Sequence, residues 1–123
     1  IAFDINQDHK VKRSEAFKIA DFCEDSGMNV KISSIHINVW CGKYNKATTA
    51  NEWLVQHDIE RVEAMFIGDS PNDDSMFSNF TNTVGVANIK PYIEELNSPP
   101  AYITEHVGGY GFAEMAESLI AAS

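Results

Sequence analysis

The stretch Phe66-Ile67-Gly68-Asp69-Ser70-Pro71-Asn72-Asp73-Asp74 sets a cluster of carboxylates directly behind a short apolar run, Val62 to Ile67. An apolar run of this length, with Glu63 its one exception, reads as a strand buried in a parallel sheet. Acids at the end of such a strand are costly unless a partner or a ligand takes up their charge. Asp69 and Asp73 offer hard oxygen ligands that suit Mg²⁺, and Asn72 adds an amide able to donate to a phosphate oxygen. A local reading competes. Ser, Asn and Asp are good helix N-caps and Pro71 suits a first turn, so the same residues also suit an Asx-type turn capping a short helix.

The rest of the chain is consistent with a sheet of this kind. Residues 1 to 40 read as β-α-β-β: a half-buried strand in which Ile1, Phe3 and Ile5 face inward, a turn at Gln7 to Lys10, and a helix from about Ser14 to Ser26. That helix carries Ala16, Ile19, Ala20 and Cys23 on one face, with Gly27 as its stop, and two strands follow between Asn29 and Trp40 with a break at Ser33-Ser34. After Cys41-Gly42 the pattern resets. A helix is expected from Lys46 to His57, capped by Asn45 and turning Ala47, Ala50 and Leu54 inward. Strands are expected at Val62 to Ile67, Thr83 to Ala87 and Ala101 to Thr104, with short helices near Asp73 to Phe80 and Pro91 to Leu96. An amphipathic helix from Phe112 to Ala121 closes the chain. Alternating strands and helices argue for a parallel α/β sheet from residue 43 onward, with function gathered at the carboxyl ends of its strands. The domains expected are 1–42 and 43–123.

Composition narrows the partners. The 123 residues carry a net charge of −9, which argues against a polyphosphate backbone or an anionic membrane as ligand, because those need clustered Lys and Arg. A phosphorylated ligand must be held locally. No apolar stretch approaches membrane-spanning length and the start lacks a signal peptide, so a soluble cytoplasmic protein is expected. Cys23 and Cys41 are too few and too far apart for a disulfide scaffold or a zinc motif, and Cys23 is expected to be buried on its helix. His9, His36, His57 and His106 show no metal-ligand spacing and are assigned no role. Trp40, Tyr44 and Trp53 are expected to pack.

Lys46 opens a predicted helix, where the macrodipole disfavours a cation. Its ammonium suits a phosphate near an acidic cluster, although a solvated Lys beside Lys43 is the plainer account. In this order the features resemble the haloacid dehalogenase (HAD) superfamily, most closely the sugar-phosphatase branch with an α/β cap, the Cof-like and sucrose-phosphatase-like hydrolases. Gly68-Asp69-Ser70-Pro71-Asn72-Asp73 is similar to that branch's GDxxND, and Asn45-Lys46-Ala47 to its helix-opening Lys. Val84-Gly85-Val86-Ala87-Asn88 and Gly108-Gly109-Tyr110-Gly111-Phe112 resemble its later strand and the approach to its last helix.

The resemblance implies a partial Rossmann-type parallel core with the tail of the cap, and phosphoryl transfer through an aspartyl-phosphate with Mg²⁺ as cofactor. It implies Asp69 as direct metal ligand, Asp73 as a metal residue acting through water or a neighbouring ligand, Asn72 as orienting the phosphate or the metal, and Lys46 as bridging phosphate and nucleophile. The substrate implied is a phosphorylated sugar or small metabolite.

The family's second motif, a Ser or Thr expected before the cap, has no candidate here, and its first is missing as well. The DxD-Gly-Thr that supplies nucleophile and general acid has no counterpart, and Phe3-Asp4-Ile5-Asn6 replaces the second acid with Asn6. A C-terminal part of a longer phosphatase, inactive alone and pairing with the missing N-terminal segment or with itself, is therefore expected. The alternative is a noncatalytic HAD-like or receiver-like regulatory module, in which Asp69 accepts phosphate. A receiver, however, carries its Lys after the acidic site, whereas Lys46 precedes Asp69.

Overall fold

A computed structural model describes residues 1–122, which divide into two compact units, Ile1–Lys43 and the chain from Tyr44 onward. In the first unit β1 (Ala2–Asp4), β2 (Asn29–Ile32) and β3 (His36–Trp40) form an antiparallel sheet in the order β1-β3-β2, with α1 (Arg13–Asp25) between β1 and β2. The register sets Val30 opposite Val39 and Ile32 opposite Ile37. All four side chains therefore lie on one face, where they are buried with Ile5, Ala16, Ala20 and Cys23. The break between β2 and β3 falls at the expected place. Ser33 Oγ accepts from His36 N at 2.8 Å and Ile35 N at 3.3 Å, closing the turn. Gly27 takes φ +79° just past α1, a conformation that Gly adopts without steric cost.

Three inward assignments in this unit are corrected. Ile1 and Phe3 are exposed because β1 is a three-residue edge strand, and Phe3, though opposite Ile37, is covered from one side only. Ile19 is partly exposed as well. The face of α1 that meets the sheet is a narrow stripe of Ala16, Ala20 and Cys23, all small, and Ile19 lies at its border.

Behind β1, Asp4 organises its own turn. Its carboxylate accepts from the backbone N–H groups of Gln7 at 2.7 Å, Asp8 at 2.8 Å, Asn6 at 3.0 Å and His9 at 3.1 Å. These donors, Gln7 foremost, hold its pKa far below the ordinary carboxylate range. A group with a depressed folded-state pKa stabilises the fold above its unfolded pKa, and that stabilisation is lost as the pH falls toward the folded value. The first unit is thus expected to lose thermal stability between about pH 4 and pH 2. Circular-dichroism melts of the wild type and Asp4→Asn should diverge at neutral pH and converge in acid; parallel curves throughout would rule the effect out.

The second unit holds α2 (Lys46–Gln56), β4 (Met65–Gly68), α3 (Asp74–Asn79), β5 (Asn82–Gly85), β6 (Tyr102–Ile103) and α4 (Gly108–Ala122). Its sheet is parallel, in the order β4-β5-β6, as the alternating pattern implied. Asn45 caps α2 as expected: Asn45 Oδ1 accepts from Thr48 N at 3.0 Å and Asn45 N donates to Thr48 Oγ1 at 2.9 Å. Ala47 and Leu54 on α2 meet Met76 and Phe80, and Phe66 packs edge-on against Phe77 at 5.5 Å.

Several boundaries differ from expectation. Val62 lies in a 3-10 turn, Arg61–Glu63, so β4 starts only at Met65. The helix expected at Pro91 to Leu96 is a 3-10 segment, Ala87–Glu95, with Pro91 inside it; Pro has no N–H to donate to a continuing α-helix. α4 begins at Gly108, inside the glycine-rich stretch read as leading into it. Its apolar face is covered only in part: Gly111 is buried and Met115 half-buried, whereas Phe112, Leu119 and Ile120 are exposed. Tyr44 and Trp53 are also exposed, Trp53 stacking on His57 with ring centroids 4.1 Å apart. No helix among the described residues is long and apolar enough to cross a membrane.

Candidate active site

At the carboxyl end of β4 the chain turns through a 3-10 segment, Pro71–Asp73, into α3. Asp73 N donates to Ser70 O at 3.0 Å, which closes the turn. The turn carries Asp73 back under β4, where Asp73 Oδ2 accepts from Asp69 N at 3.1 Å. Gly68 is needed for this approach: a Cβ there would stand 2.6 Å from Asp73 Oδ2 and 2.9 Å from Phe66 Cε1.

Lys46, the first residue of α2, reaches the same carboxylate. Its Nζ lies 2.5 Å from Asp73 Oδ1. The pair is lopsided, because the Lys46 side chain is 51% exposed and that of Asp73 only 5%. Asp73 is thus a buried anion with one oxygen on an ammonium and the other on a backbone N–H, the combination that makes burial of a carboxylate tolerable. The ion pair supplies a reason for a cation at a helix start, where the macrodipole alone disfavours it by about 0.3–1 kcal/mol.

Asn72 accepts at Oδ1 from Ser70 Oγ at 2.6 Å, which orients its amide with the NH₂ end as the donor end. Asp69 is exposed at the strand end. Of the four residues singled out from the sequence, the structure therefore links Lys46 and Asp73 side chain to side chain, Asp69 to Asp73 through its backbone N–H, and Asn72 to the same turn through Ser70.

This donor set fits part of a magnesium site. Mg²⁺ keeps several waters and uses one or two carboxylates together with substrate phosphate, which one exposed carboxylate satisfies. Both oxygens of Asp73 are engaged, so contact through water is the arrangement open to it. No group of three or more His, Cys, Asp or Glu that could hold a metal lies together among the described residues.

Sequence reasoning missed three structural supports. Asp74 is buried and accepts from the 97–98 segment. Asn88 Oδ1, behind β5, accepts from Gly108 N at 2.6 Å and so ties down the start of α4. Glu114 accepts from the backbone N–H groups of Glu105 and His106 and from His106 Nδ1, contacts that lower its pKa, the Glu105 N–H foremost. The acidic run at 69–74 did signal Asp74, but nothing in the sequence separated its task from that of its neighbours.

Asp4, the acid of Phe3-Asp4-Ile5-Asn6, spends its oxygens on four backbone N–H donors of its own turn.

A family model described as haloacid dehalogenase-like hydrolase matches residues 2–107. The chain belongs to this family. Two crystal structures share the fold of the HAD-like chain. One, of Thermoplasma acidophilum 0175, superposes with a TM-score of 0.66 at 19% identity, covering 88% of this chain and 47% of its own. The other, yhjK from Bacillus subtilis, a haloacid dehalogenase-like hydrolase protein, gives a TM-score of 0.57 at 19% identity, covering 97% of this chain and 44% of its own. The chain thus spans about half the length of these structures. A search of curated proteins finds no match.

Proposed function

We propose that the chain is the C-terminal part of a Mg²⁺-dependent phosphatase of the sucrose-phosphatase-like branch, acting on a phosphorylated sugar or small metabolite. In this reading the first unit is the tail of the cap and the second is half of the catalytic core. The observation that carries the proposal is the Lys46–Asp73–Asp69 constellation at the carboxyl end of a parallel strand. Mg²⁺, when bound, would neutralise phosphate charge.

The protein's own groups would do the rest. Asp69, exposed at the strand end, would hold the metal. Asp73 would keep Lys46 extended toward the phosphate and steady the Asp69 backbone. The Lys46 ammonium, half exposed, would share itself between Asp73 and a phosphate oxygen, offsetting charge that grows in the transition state. Asn72, its amide oriented by Ser70, would donate to the phosphate.

The nucleophilic carboxylate would come from a DxD segment that this chain does not contain. Such a segment would add as a partner strand to β4, which ends the strand order of its sheet.

The proposal is tested with the purified chain, about 10 mM Mg²⁺ and p-nitrophenyl phosphate. Mg²⁺ should shift the amide resonances of Asp69 and its neighbours in the wild type and not in Asp69→Asn, with no turnover. Turnover lost in both Lys46→Ala and Asp69→Ala would place the nucleophile inside the chain. Absence of any Mg²⁺-dependent shift at Asp69 would remove the metal role.

A further inference from the structure

Asp74 stands immediately after Asp73 and opens α3, yet the two carboxylates serve opposite sides of the turn. Asp73 takes Lys46 and the Asp69 N–H. Asp74, 8% exposed, accepts at Oδ1 from Asn97 N at 2.8 Å and Ser98 N at 3.0 Å, and at Oδ2 from Asn97 Nδ2 at 3.0 Å. Two successive buried carboxylates in one chain repel each other unless each has its own donors. Here each has them, and the peptide joining the two residues is consequently held from both ends.

The segment that Asp74 grips is itself fixed to the sheet. Just beyond it Pro100 packs over Gly85, where a Cβ would meet Pro100 Cγ at 2.9 Å, and Ala101 N donates to Thr83 Oγ1 at 3.0 Å. The chain of contacts therefore runs from β5 through Pro100 and the 97–98 backbone to Asp74, and across one peptide to Asp73 and Lys46. We infer that Asp74 is a positioning residue for the candidate active site: it anchors the acidic turn to the β5–β6 side of the sheet and so sets where Asp73 holds Lys46 and the Asp69 backbone. The inference rests on the reading of that turn as the metal and phosphate site, but its structural content is measurable without metal.

The experiment is amide hydrogen exchange on the full chain, wild type against Asp74→Asn and, as a milder variant that leaves the carboxylate in place, Asn97→Ala. In Asp74→Asn, exchange should quicken about tenfold at Asn97 and Ser98 and also at Asp69 and Asp73, whose N–H groups bond to Asp73 Oδ2 and Ser70 O, while α1 in the first unit keeps its wild-type rates. Asn97→Ala should move the same four amides by less. Faster exchange confined to Asn97 and Ser98, or spread uniformly over the whole second unit, overturns the inference. A Mg²⁺ titration on the same samples separates the two readings. Weaker Mg²⁺-dependent shifts at Asp69 in Asp74→Asn support positioning of the metal site. A wild type that shows no Mg²⁺ response removes the metal reading, and the exchange pattern at Asp69 and Asp73 still decides the role of Asp74.

Discussion

Lys46→Met is expected to destabilise the second unit by about 3 kcal/mol, whereas Asp73→Asn is expected to cost about 1 kcal/mol. The asymmetry follows from exposure. Lys46 is 51% exposed, so when Asp73 is neutralised the ammonium turns to water at little cost. Asp73 is 5% exposed, so removal of Lys46 leaves a buried carboxylate with the Asp69 N–H and no countercharge beside Oδ1. The upper end of the range for broken buried pairs does not apply, because the space vacated by a half-exposed Lys admits water. The double variant should recover part of the loss, since it removes the orphaned charge as well. Urea unfolding of the wild type, both single variants and the double variant checks the cycle. Equal losses in the two single variants would show that the pair behaves as an ordinary surface ion pair.

Gly111→Ala should lower stability by about 2 kcal/mol although it places a better helix former inside α4. The added Cβ would meet the backbone oxygen of His106, Thr104 Oγ1 at 2.6 Å and Val86 Cβ at 3.0 Å. His106 O cannot retreat cheaply, because it accepts from Ala87 N at 3.1 Å and Thr104 Oγ1 at 2.8 Å. An overpacking cost of about 1–3 kcal/mol or more therefore exceeds the gain of about 1 kcal/mol in helix propensity. Gly109→Ala, two residues earlier in the same helix with nothing within 4 Å of its added Cβ, should instead be neutral or stabilise by up to about 1 kcal/mol. Thermal unfolding of the pair distinguishes close packing from propensity: if both substitutions stabilise, the contact between α4 and the β6 turn is looser than described.

Both predictions depend on contacts between residues far apart in the chain, and this marks where sequence reading stopped. The acidic turn, the Lys at a helix start and the strand ahead of the turn were each legible from local pattern, because strand burial, capping and Pro placement are short-range physics. The same pattern left the turn undecided between a cap and a ligand site. What it lacked was the pairing of Lys46 with Asp73, 27 residues on. The division of labour between Asp73 and Asp74 was equally hidden, since adjacent aspartates look alike until one knows which donors stand on each side.

Amphipathic periodicity likewise predicted α4 but not its environment. A helix pattern states which face is apolar and says nothing of what is there to cover it; Phe112, Leu119 and Ile120 remain exposed among the described residues. Edge effects worked against β1 in the same way: alternation placed Ile1 and Phe3 inward, and a three-residue strand at the rim could not cover them.

By itself the sequence determined the β-α-β-β order of the first unit, the parallel α/β character of the second, the cap of α2 and the place of the carboxylate turn, because periodicity, propensity and capping act within a few residues. Tertiary structure alone decided which carboxylate is buried, which cation meets it, why Gly68 and Gly111 tolerate no side chain, and where Asp74 is anchored. Those outcomes depend on which distant backbone N–H groups and side chains converge on one point, and convergence is a property of the packed fold.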